Sequence, residues 1–149
     1  MRLGAAVVLA LALAGCRDDT SRGGADLTTP CEVLPSAAEV SEAVEIKSVM
    51  QTRSVDGTLC EYISEGVVAV TVKVIHGKGN FELLPQVLGD QYRVLPDAPL
   101  RSFVSIGTFK RGMVVASSDT LIEVDIPDQA LESDEHLKRL VLAVADHLA

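Results

Sequence analysis

The sequence predicts an α+β domain: one antiparallel sheet of about six strands, with helices packed on one face and a C-terminal helix closing the core. Two runs, 50–75 and 102–126, break into short β-branched segments separated by turn residues. Segments 37–45 and 133–148 carry apolar residues at helical spacing. The resulting order is helix, three strands, a short helix, three strands, helix. Strands grouped in runs with short turns between them pair antiparallel, and the helices then cover one side.

The chain opens as an export signal. Met1-Arg2 supplies positive charge and residues 3–14 form an apolar, small-residue run. A bilayer core needs roughly 20 apolar residues, so this run is too short to span, and Arg17, Asp18 and Asp19 follow it at once. Leu13-Ala14-Gly15-Cys16 resembles the bacterial lipobox. That resemblance implies a diacylglyceryl group on the Cys16 thiol and cleavage before it, giving a signal peptide at 1–15 and a protein held to its membrane by acyl chains (palmitate or similar), each buried methylene contributing about 0.8 kcal/mol. Residues 16–28 read as the lipidated cysteine and a flexible polar tether, and 29–149 as a single α+β domain. The expected location is the extracytoplasmic face of the cell membrane. In a host with two membranes, Arg17 after the lipidated cysteine favours the outer one.

With 13 basic and 21 acidic residues, the net charge of −8 makes nucleic acid and anionic headgroups poor partners. Three cysteines become an even pair once Cys16 is assigned to lipid, so Cys31 and Cys60 are expected to form a disulfide in an oxidising compartment. Closing that loop contributes about 3 kcal/mol. The two cysteines lack nearby partners at ligand spacing for a metal site.

Within the domain, Ser36-Ala37-Ala38-Glu39 fits a capping box leading into a helix over 37–45, with Val40, Ala43 and Val44 on its buried stripe. Residues 50–55 and 58–63 flank Asp56-Gly57 as a hairpin. Ser64-Glu65-Gly66 then turns into the longest strand, 67–75, whose core face is Val68, Val70, Val72 and Val74. His76-Gly77-Lys78-Gly79 reads as a turn, because the spacing of a phosphate loop is missing. Residues 81–92 offer a short helix with Pro85 in its first turn and Gly89 at its end, and 93–101, with two prolines, reads as loop.

Strands are expected at 102–109, 113–117 and 120–126, with a turn at Lys110-Arg111-Gly112 and inward Ile122, Val124 and Ile126. Ser133 caps the last helix, whose stripe is Leu137, Leu140, Val141, Val144 and Leu148. The sheet face away from the helices carries Glu61, Thr71, Lys73, Glu123 and Asp125.

Cys31, Leu34, Glu39, Val40, Cys60, Tyr62 and the segment Phe103-Val104-Ser105-Ile106-Gly107 resemble a family of small actinobacterial lipoproteins grouped as a domain of unknown function. The likeness covers nearly the whole mature domain and implies a fold and a location, not a reaction. This sequence departs from the pattern at Thr108-Phe109-Lys110 and lacks a glycine after the first helix.

Catalysis needs a nucleophile beside a base, two carboxyls with separated acidities, or a metal with an open position. No catalytic residue, metal site or cofactor follows from this sequence. His136 and His147 are about 16 Å apart along one helix at 1.5 Å per residue, too far to share a metal. They are expected as boundary residues beside the apolar stripe, and His76 as an exposed loop residue. Asp119, Glu123, Asp125 and Asp128 lack calcium-loop spacing. Phe109, Lys110 and Arg111, an aromatic and two cations at a hairpin tip of an acidic protein, form a candidate partner contact. The expected role is a non-enzymatic binding or accessory module of the cell envelope, taking an envelope protein or a small ligand. The alternative is a cell-envelope hydrolase.

Overall fold

The computed structural model describes residues 30–54, 59–77, 80–107, 110–127 and 133–149. Cys16, the lipobox, the tether, the Asp56-Gly57 turn and Phe109 lie outside the described residues. A 3-10 turn at Pro30–Val33 leads to helix α1, Ala37–Ala43. Strands follow at β1 Val49–Arg53, β2 Leu59–Ser64 and β3 Val67–His76. A compact helical segment over 81–91 contains α2, Leu84–Leu88. The chain ends with β4 Tyr92–Val94, β5 Ser102–Ser105, β6 Arg111–Ser117, β7 Thr120–Asp125 and helix α3 Asp134–Leu148.

The seven strands form one sheet in the order β1-β2-β3-β7-β6-β5-β4. Every neighbouring pair is antiparallel. Two meanders therefore meet at the centre, where β3 lies beside β7 and Val72 faces Val124. The α+β architecture and the closing helix agree with the sequence. The seventh strand, β4, falls where the sequence reads as loop: it has three residues and Pro96 comes two residues after it, too little alternation to register as a strand.

The capping box forms as the sequence indicates. The Ser36 hydroxyl accepts from the Glu39 N–H, and the Glu39 carboxylate accepts from the Ser36 N–H at 2.7 Å. Cys31 and Cys60 are joined, with Cα atoms 5.2 Å apart. Beside them the buried Tyr62 hydroxyl donates to the Pro35 carbonyl at 2.7 Å, and the Gln51 amide donates to that hydroxyl and to the Cys31 and Pro35 carbonyls. Burial pushes the Tyr62 phenol up to about 12, so it stays a neutral donor.

The turn after β2 is tighter than the expected three-residue one. Ser64 pairs with Val67, and Glu65 and Gly66 have φ of 51° and 80°, the pair of positive angles of a two-residue hairpin turn. A register shift after Tyr62 leaves Ala69 as the extra residue of β3. Ala69, Val70 and Val72 are buried, whereas Val68 and Val74 are half-buried.

The main core lies between the sheet and the pair α1 and α3, where Val40, Val44, Val70, Ile122, Leu140 and Val144 are almost fully buried. The opposite face is divided. Phe103, Met113, Val115 and Leu121 are buried together there, packed by Phe81, Leu84 and Leu88 of the 81–91 segment. On the rest of that face Glu61, Thr71, Glu123 and Asp125 are half-buried and Lys73 is exposed, the polar surface the sequence indicates.

Candidate binding cleft

The cleft grows from the short edge hairpin and the helix beside it. After β4 the chain turns at Leu95, Pro96 and Asp97, with the buried Leu95 donating its N–H to the Ser102 carbonyl at 2.9 Å. β5 then returns antiparallel to β4, Arg93 facing Val104. Helix α3 starts from its Ser133 cap, whose hydroxyl accepts from the His136 N–H at 3.0 Å, and lies over β5 and β6. Between α3 and the β4 edge opens a cleft of about 330 Å³.

Its apolar wall comes from Leu95, Val104, Ile106, Leu137 and Leu142. Its rim carries Arg93, Asp97, Asp134, Glu135 and Lys138. Asp134 is paired with Lys110, and Glu135 lies 3.9 Å from Arg139. The side chains of Arg93, Asp97 and Lys138 form no ion pair among the described residues, and all three are exposed. Such an arrangement can hold an amphipathic ligand by burial and orient it by charge.

The residues singled out from sequence are placed elsewhere or otherwise engaged. Lys110 pairs with Asp134 at the cleft rim. Arg111 and Gly112 are not a turn: they begin β6, and the Arg111 guanidinium binds Asp125 at 2.8 Å and approaches Glu123 at 3.6 Å. These contacts hold its pKa above the ordinary arginine value, led by the hydrogen bond to Asp125. The turn reading failed because Lys-Arg-Gly looks like a tip, whereas Gly112 is required by a close approach. A Cβ there would run into the Val141 Cγ2 of α3.

His136 and His147 both meet carboxylates from the α1 side. His136 Nε2 lies 3.0 Å from Glu45, which Arg139 also contacts, and His147 Nε2 lies 2.9 Å from Glu39. His76 ends β3, exposed, 3.4 Å from the Thr120 hydroxyl. The Asp119 carboxyl accepts from the Ser117 and Thr120 hydroxyls, which hold its pKa below the ordinary value. Among the described residues no group of three or more His, Cys, Asp or Glu is arranged to hold a metal ion, and no helix is long and apolar enough to cross a membrane. Asp128 lies outside those residues.

Sequence reasoning missed the cleft itself. Its walls come from segments about forty residues apart, and no local pattern links Arg93 to Lys138. Compared with protein families, curated proteins and solved structures, the chain matches none.

Proposed function

We propose that this chain is a lipid-anchored, extracytoplasmic binding module of the cell envelope, and that the cleft between β4 and α3 is its working surface. The observation that carries the reading is the cleft: an apolar wall beside two exposed cations, Arg93 and Lys138, that no described carboxylate pairs. The lipobox resemblance at Cys16 and the Cys31–Cys60 link support an extracytoplasmic setting, since disulfides persist in oxidising compartments. The net charge of −8 favours protein or small-molecule partners over polyanions.

Incorporating a photo-crosslinking amino acid at Ile106, which is 52% exposed at the cleft, tests the reading in intact cells. Glu65, at the exposed β2–β3 turn, is the control position. Discrete adducts from position 106 only, together with loss of the protein from the membrane fraction in Cys16→Ser, are expected. Equal or absent labelling at the two positions would overturn the cleft, and membrane retention of Cys16→Ser would overturn the anchor.

A further inference from the structure

Resting on that reading, we infer that the cleft receives an extended peptide that adds as an eighth strand on β4, with an apolar side chain in the cleft and a carboxylate toward Arg93 and Lys138.

The backbone argument comes from the ladder. Leu95 donates to Ser102, and Ile106 donates to the Gln91 carbonyl at 2.8 Å, so the residue midway between, Arg93, is the one that exchanges hydrogen bonds with Val104. In an antiparallel ladder the alternate residues then point their N–H and C=O groups the other way. Those residues are Tyr92 and Val94, and among the described residues β4 has no neighbour on that side in the sheet order. Val94 makes no backbone hydrogen bond to described residues outside the ladder, and the N–H of Tyr92 closes the 3-10 turn at Gly89–Gln91. The Val94 N–H and the Tyr92 and Val94 carbonyls, at alternate positions, match an extended backbone, whereas a compact small molecule has no such repeat.

Side chains make the second argument. Successive side chains of an added strand alternate between sheet faces, so every other one points toward the α3 side, where the cleft lies. A volume of about 330 Å³ is at the small end of ligand pockets and suits a few side chains of a short segment. Val94 and Ile106, 50% and 52% exposed, leave apolar surface at this edge for a partner to cover. The charge argument is independent of both. Asp134 is paired with Lys110 and Glu135 lies 3.9 Å from Arg139, whereas Arg93 and Lys138 form no ion pair among the described residues and can attract a carboxylate. Asp97 also lines the rim, so one acidic residue beside an apolar one fits better than a polyacidic run.

The full chain in detergent, panned against a displayed library of random linear heptapeptides, is expected to enrich sequences pairing an apolar with an acidic residue. Synthetic copies methylated at single backbone nitrogens give the decisive reading. An added strand uses alternate amides, so affinity falls at least tenfold for one set of alternate positions and stays within about twofold for the other. Val94→Pro removes an outward N–H from an edge strand, where proline is tolerated, and is expected to weaken binding tenfold with the fold retained. The double variant Arg93→Glu and Lys138→Glu should turn the selection toward basic peptides. No enriched peptide, or methylation effects without alternation, would overturn strand addition. So would octanoate binding that depends on Arg93 and Lys138 and is untouched by Val94→Pro, which identifies a small anionic ligand. Crosslinks from position 106 that persist in that case would keep the binding module and discard only the peptide.

Discussion

Glu39 does two jobs with one carboxylate. It closes the capping box at Ser36 and receives His147 from α3, so it both starts α1 and fastens it to the last helix. The His147 hydrogen bond, followed by those from Ser36, lowers its pKa to about 2. A carboxyl lowered by folding contributes stability that is fully present above its unfolded value of about 4.5 and is lost as pH falls through 2. The urea midpoint of Glu39→Gln is therefore expected below that of the wild type at neutral pH, the gap closing as pH drops from about 4.5 toward 2. A gap independent of pH would show that the ionised form is not what matters. Glu45, lowered by His136 and then Arg139, titrates with the same sign and adds to the acid limb.

At the scale of elements, the spacing between β6 and α3 is set by what is missing from Gly112. The Val141 side chain occupies the space a Cβ would take. Gly112→Ala forces the helix outward or Val141 off its rotamer, and overpacking of this kind costs about 1–3 kcal/mol. Denaturant unfolding should show that loss, and the second change Val141→Ala should recover much of it; a neutral Gly112→Ala would mean that α3 shifts freely. The same elements show where sequence was a good guide. α3 was legible because Leu137, Leu140, Val141 and Val144 repeat at helical spacing and all are buried. The inward set of β7 was legible because Ile122 and Val124 alternate with Glu123 and Asp125. Gly112 was not, since a glycine chosen by a helix far along the chain looks locally like a turn. Leu121 alternates with the inward set yet is buried, because the 81–91 segment covers that end of the outer face. No periodicity within β7 could reveal it.

The whole molecule depends on long-range joints between pieces that are local in themselves. Both meanders are built of sequence neighbours, and β3 with β7 is the seam between them. The N-terminal turn is fastened to this frame by the Cys31–Cys60 link across 29 residues and by the Gln51 and Tyr62 hydrogen bonds. Replacing both cysteines by serine is expected to lower unfolding free energy by about 3 kcal/mol, read from denaturant midpoints. A serine variant, or a reduced wild type, with the denaturant midpoint of the oxidised wild type would contradict it. The cysteine pair was legible by parity; the cleft was not, because it exists only once α3 lies beside β4.

The strand order also fixes a direction. The described chain begins at a turn packed on β1, β2 and β3, while the cleft opens at β4 on the other border of the sheet. Six strand spacings of about 4.8 Å separate those borders by about 29 Å, less what twist removes. A molecule held from its N-terminal end is thus gripped like a blade by its handle, with the cleft at the tip. In such a molecule the width of the sheet itself sets the cleft apart from the end that is held.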